Sequence, residues 1–378
     1  MIVQHPLLWC AALLAAGIAV GMLFPLPYYL PLLAATALAC FFTRKSNHLH
    51  DVLTIAVWLL IGCSRAFVCS EANGGPSMQS AFAQRTLQKA GQIQSALAGR
   101  LEEASLSPSA HALCSALVLG QRDGLKRETR QAYARAGVSH LLALSGMHMG
   151  IIYGLLYLVF IRWVRNSRWR WYALPFILLL LWSYTLVAGM PVSLVRAAIM
   201  LSVFTISWLR QYDTDPLHPL AVSAIIILLV SPAALFSISF QLSFTAVFFI
   251  IALWGPFYEH LPKLPWVVRM LAVSCVAQVG TMPLTLYYFH QLPLLAPLFS
   301  VVLIPLTTII IYLTLLVLAL PLAPLGQLLS LLAALQEGIV QLAGNIPGGT
   351  LTGFYPNGIW VALAYGAMLI AVARLRTR

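Results

Sequence analysis

The sequence predicts an all-α, polytopic membrane protein with about ten to twelve transmembrane or re-entrant helices and an external amphipathic helical segment. Three observations predict it. Apolar residues make up 61% of the 378 residues and charged residues only 8%, with a mean hydropathy of +0.88; a soluble domain of this length cannot hide so much apolar surface. Apolar runs of roughly 18 to 22 residues recur, long enough at about 1.5 Å per residue to cross a hydrocarbon core of about 30 Å. The net charge of +12 is spread through short loops, as topology signals are.

In order, candidate spans lie near 6–24, 29–43, 51–69, 144–162, 171–188, 192–209, 218–231, 233–253, 267–289, 294–320, 326–343 and 358–374. The first lacks a basic leader and an A-x-A site and is expected to be retained as a helix. Proline pairs, Pro25 with Pro27, Pro216 with Pro219 and Pro262 with Pro265, mark boundaries. Pro305 sits inside a long run and is expected to kink or break it. Residues 70–137 differ in kind: Phe82, Leu87, Ile93, Leu97 and Leu101 form a stripe at helical spacing, and "GQRDGLKRETRQAYARAGV" is a basic helical continuation. An amphipathic helix at the membrane surface fits the first part. Twelve of the 22 basic residues, among them Arg44, Arg162, Arg210, Lys263 and Arg374, fall in one alternating set of short loops. That set belongs in the cytoplasm and leaves 70–137 outside. The six cysteines form no CxxC pair and read as small apolar residues. The expected divisions are N-terminal membrane helices at 1–69, an external linker at 70–110, a central membrane domain at 111–320 and C-terminal helices at 321–378.

Polar groups at membrane depth are costly and point to a pathway. In "SISFQLSFT", Ser237, Gln241 and Thr245 recur every four residues; Ser274, Gln278, Thr281 and Thr285 make a second stripe, and Arg196 stands inside an apolar helix. Hydroxyl stripes also serve close helix packing by bonding the i−4 carbonyl, and an arginine can snorkel. The alternative is a wet lumen lined by Gln241, Gln278 and Arg196. In "HLLALSGMHMG", a single helix would gather His140, Ser145 and His148 within an arc of roughly 140°. Ser145 and His148 resemble a nucleophile and base but lack an orienting carboxylate, so an intramembrane hydrolase is the weaker reading. No HExxH, no HxHxDH and no GxxxxGK[ST] occurs, so neither a metal nor a nucleotide cofactor is expected.

With these residues in view, the sequence resembles the ComEC family of competence proteins, the inner-membrane channels for DNA uptake. The resemblance runs in order through "ALVLGQRDGL", "AYARAGVSHLLALSGMHMG", "VAGMPVSLVRAAIM", "DPLHPLAVSAIIILLVSPAALFSISFQLSFT" and "VAQVGTMPLTLYYFHQLPLLAPLFSVVLIPL". It implies a channel domain at 111–320 that passes one DNA strand into the cytoplasm. It also gives a pathway role to the "SHLLALSG" block, with His140 and Ser145, to Arg196, and to Gln241 of "QLSF"; His148 and Gln278 join them through their polarity at membrane depth. Family members also carry an OB-like domain and a metallo-β-lactamase-like domain. Neither has its counterpart here, and Ser300 stands where an asparagine is expected. The resemblance therefore implies conduction and not nuclease activity.

A single strand carries one charge per nucleotide, so its entrance should be basic. Arg122, Lys126, Arg127, Arg130 and Arg135 supply that charge against Asp123 and Glu128. The expected partners are single-stranded DNA, lipid, a cytoplasmic ATPase and a separate nuclease. A secondary transporter of a small anionic solute would use the same arginine with inverted repeats, and none is visible.

Overall fold

The computed structural model describes residues 6–23, 29, 32, 33, 36, 47–72, 81–166, 168–210, 215–258 and 264–376. They form two compact units: residues 1–80 with 206–244, and residues 81–205 with 245–378. Nearly every element is a helix. Among the described residues, five helices are long and apolar enough to cross a membrane, at 170–187, 192–209, 266–289, 296–319 and 323–344. Shorter apolar helices accompany them. The 29–43 candidate lies largely outside the described residues.

In the first unit, α1 (Pro6–Leu23) packs along α2 (Asn47–Ala72), and α11 (Leu217–Val230) lies against α1. Glycine lets the first pair touch backbone to backbone. A Cβ on Gly17 would strike the Leu59 carbonyl, and one on Gly62 would lie 2.7 Å from the Ile18 nitrogen. Small residues at such a crossing let dispersion act between main chains where no hydrophobic drive separates helix from lipid. Cys63 adds a bond from its thiol to the Gly17 carbonyl at 3.1 Å. Arg65 Nε donates to the Leu229 carbonyl at 2.8 Å, placing a cation at the negative end of α11. Cys10, Cys63, Cys114 and Cys275 are free thiols.

The second unit is built on an antiparallel helix pair. α14 (Ala296–Ala319) and α15 (Ala323–Gly344) are joined by a three-residue turn. Beyond their other ends, β1 (Gln291–Pro293) pairs antiparallel with β2 (Thr350–Thr352), in the register Gln291 to Thr352 and Pro293 to Thr350. The start of α14 and the finish of α15 therefore share one end of the unit. Pro305 does not break its run: α14 is continuous through it. A proline costs a helix one backbone donor, and buried packing on Leu303, Leu306 and Ile310 holds the helix together around the gap.

The described part of the polar 70–137 region, from 81 onward, forms three helices and a π turn. α3 (Ala81–Glu103) is followed by α4 (Pro108–Cys114), a π turn (Ser115–Leu119) and α5 (Arg127–Arg135). Leu101 of the stripe and Ala104 just beyond it are fully buried, while Ile93 is half exposed. The tip of this hairpin reaches the α14–α15 turn: Arg100 Nη1 donates to the Leu318 carbonyl at 3.2 Å, and Gly326 abuts the Ala104 carbonyl. α5 lies at the opposite end, where Gly344 approaches the Ala132 carbonyl.

Candidate functional site

The stretch expected as one helix from 140 to 150 is two. α6 (Ser139–Leu142) stops, Ala143 turns extended, and α7 (Gly146–Val159) begins after Ser145, which has φ −136° and ψ 177°. The break puts the two histidines on different helices. His140 is exposed on α6, whereas His148 in the first turn of α7 is fully buried. The break also frees backbone groups that a continuous helix would satisfy internally. One finds its partner on α10 (Val192–Leu209), where Ser193 Oγ donates to the Leu144 carbonyl at 2.5 Å. Gly146 then lies against Ala197, with room for a Cβ at 3.6 Å from that methyl. These two contacts set Ser145, His148 and Arg196 at one corner of the second unit, at the α5 end. Arg196 is 3% exposed, one turn deeper on α10 than Ser193.

Ser145 Oγ and His148 Nδ1 are 3.2 Å apart. The Leu141 carbonyl, His140 and Arg122 lie near the imidazole. Nε2 is buried and has no partner of hydrogen-bond geometry. A hydrolytic pair needs a carboxylate on that second nitrogen to orient the ring, and among the described residues none is bonded there. What the corner offers instead is an enclosed imidazole nitrogen on α7 and a buried guanidinium on the neighbouring helix α10. Among the described residues no cluster of three or more His, Cys, Asp or Glu is placed to hold a metal ion.

The two glutamines are tied to nearby backbone. In the second unit, Gln278 on α13 (Trp266–Phe289) donates to the Pro293 carbonyl of β1 at 2.7 Å. Thr281 and Thr285 of the same stripe bond the carbonyls of Ala277 and Thr281, at 2.9 and 3.0 Å. In the first unit, Gln241, near the start of α12 (Ile238–Tyr258), donates to the Leu235 carbonyl at 3.0 Å. Ser237 caps that helix through the Phe240 N–H at 3.2 Å.

All five basic residues named for the entrance, Arg122, Lys126, Arg127, Arg130 and Arg135, are exposed. Arg130 donates to the Arg122 carbonyl, folding the loop back on α5. Beside them a groove of about 630 Å³ runs between α4, α5 and the end of α15; Lys126, Arg135, Glu128 and Glu337 line it.

A residue the sequence reading passed over anchors this helix. Gln336, fully buried on α15, donates Nε2 to the Tyr133 hydroxyl at 2.9 Å, and its Oε1 accepts from Thr307 Oγ1 at 3.1 Å. Burial pushes the Tyr133 hydroxyl well above its ordinary pKa, with the Gln336 bond opposing the shift. The signal was present as "LQEG", a polar pair inside an apolar run.

The comparisons agree on a family. A sequence model described as "Competence protein" matches residues 117–378. ComE operon protein 3 of Bacillus subtilis is 33% identical over 204 residues, covering 54% of this chain and 25% of that protein. Competence protein ComA of Neisseria gonorrhoeae is 31% identical over 230 residues, covering 57% of this chain and 31% of its own length. An uncharacterized protein, the MG316 homolog of Mycoplasma pneumoniae, is 27% identical over 191 residues and covered to 48%. The chain thus spans about half or less of each of these curated relatives. No solved structure matches it.

Proposed function

The chain belongs to the Competence protein family, and on that premise we propose that it is the channel that passes single-stranded DNA across the inner membrane into the cytoplasm during natural transformation. About ten to twelve membrane or re-entrant segments make up this reading, with the shorter apolar helices and re-entrant pieces counted beside the five long spans.

The observation that carries the reading is a juxtaposition. A solvent-facing helix rich in arginine, α5, lies at the same end of the second unit as a broken helix that holds buried His148 and is bonded through the Leu144 carbonyl to α10, which carries buried Arg196. A polyanion needs countercharge where it sheds water and polar partners where it enters. In this reading Arg122, Lys126, Arg127, Arg130 and Arg135 collect the strand. His140, Ser145, His148, Arg196, Gln241 and Gln278 solvate it on the way through.

The chain has no nucleotide-binding motif, so directional movement draws on a cytoplasmic ATPase. Degradation of the strand left behind belongs to a separate nuclease. Uptake of fluorescent DNA by a deletion strain, and by the same strain carrying the gene again, tests the reading. Loss and recovery of uptake support it; uptake unchanged by the deletion overturns it.

A further inference from the structure

We propose that the β1–β2 ladder is a second binding element for single-stranded nucleic acid, with Tyr355, backed by His290, as a stacking surface for bases. The inference rests on the DNA-uptake reading and adds to it a site and a contact chemistry.

The ladder begins at the basic helix. Gly137, just past α5, has φ +73°, and a Cβ there would run into Pro293 and come within 2.9 Å of the Ala296 methyl. Thr350 Oγ1 donates to the Arg135 carbonyl at 2.7 Å. Both strands are thus fixed to the end of α5 at the Pro293–Thr350 pair. Three residues of strand, about 10 Å, lead to the Gln291–Thr352 pair at the other end. There His290 takes the left-handed conformation at φ 56°, a strained choice for a residue with a Cβ. Gly353, at φ +90°, turns the chain after β2. The outcome is that the His290 and Tyr355 rings meet at 4.6 Å, tilted by 39°. Tyr355 is 77% exposed and its neighbour Phe354 is 55% exposed.

Exposed aromatics near helix ends are commonly anchors in the lipid headgroup layer. Two features favour nucleic acid. The ladder is continuous with five exposed cations that outnumber the three nearby acids, Asp123, Glu128 and Glu337. And the tyrosine ring packs on one side against the His290 imidazole, leaving an exposed π face. Cationic groups spaced along a backbone track, with aromatic rings beside them, are the general recipe for sequence-tolerant binding of single strands.

The test uses the full chain in lipid nanodiscs and two fluorescent probes. One is an oligodeoxythymidylate of roughly twelve nucleotides, within the span such surfaces cover. The other is its abasic equivalent, with the same phosphates and no bases. The wild type should prefer the thymidylate. Phe354→Ala with Tyr355→Ala should weaken thymidylate binding about tenfold, a stacking-sized loss, and leave abasic binding unchanged; Tyr355→Trp should keep the preference. A double variant that retains the preference overturns the inference, as does one that loses both probes equally. A change confined to liposome partitioning assigns the ring to lipid and also overturns it. Should the wild type bind neither probe, the DNA-uptake reading falls as well, and the two failures are told apart.

Discussion

The Gln336 amide and the Tyr133 hydroxyl are joined at 2.9 Å across 203 residues of chain, both fully buried. The bond links a helix rich in arginine to an apolar helix long enough to span a membrane, and Thr307 completes it from α14. Such a network is stabilising only while every member is satisfied. Gln336→Leu strands the hydroxyls of Tyr133 and Thr307 and should cost about 1–3 kcal/mol, read as a fall in the thermal midpoint of detergent-purified protein. Adding Tyr133→Phe and Thr307→Val should recover most of the loss, because apolar partners leave nothing unpaired.

Ser193→Ala removes the bond to the Leu144 carbonyl and leaves that oxygen at a helix break. About 1 kcal/mol of local stability should be lost, and it should appear at 143–146. Hydrogen exchange at Leu144 to Gly146 should quicken about fivefold while exchange in α14 stays as it was.

Arg196→Glu should abolish DNA uptake. Arg196→Met keeps the stem length and the burial without the charge, and should reach wild-type abundance in the membrane while uptake falls at least tenfold. Full uptake by the methionine variant would remove the guanidinium from the path.

Arg127 and Arg130 are exposed, so changing both to Ser should not disturb the fold. Each phosphate contact on a single strand contributes about 0.7 to the slope of log affinity against log salt. Binding of an oligonucleotide should weaken, and that slope should become shallower by about 1.4. A weaker affinity with the slope unchanged would place the phosphates elsewhere.

Gly137→Ala meets both a positive φ and the Pro293 ring. Neither the turn nor the proline can give way cheaply. The variant should lose more than about 2 kcal/mol and show the earliest loss of protection at β1, as measured by exchange.

The class of the protein was legible because hydropathy is summed over twenty residues and survives local error. The basic segment was legible for the same reason, since charge at 122–135 must find water. The break before α7 was hidden because His140 and His148 read as one face of a single helix, and only the extended Ala143 divides it. Pro305 does not end its helix because a proline's effect depends on the packing around it, and α14 is held by buried neighbours. Pairings such as Gln336 with Tyr133, or Arg100 with the Leu318 carbonyl, join positions about 200 residues apart. No local period records them. The discontinuous first unit, with 206–244 folded among residues 1–80, is hidden for the same reason.

The backbone contact at Gly17 and Gly62 carries a warning for genetics. A methyl at either position is a wedge between two closely packed helices, so a random screen for transformation-defective clones will return these glycines beside positions proposed to contact the strand. Such hits report whether the protein assembles, and only an abundance measurement separates them from hits that report what it carries.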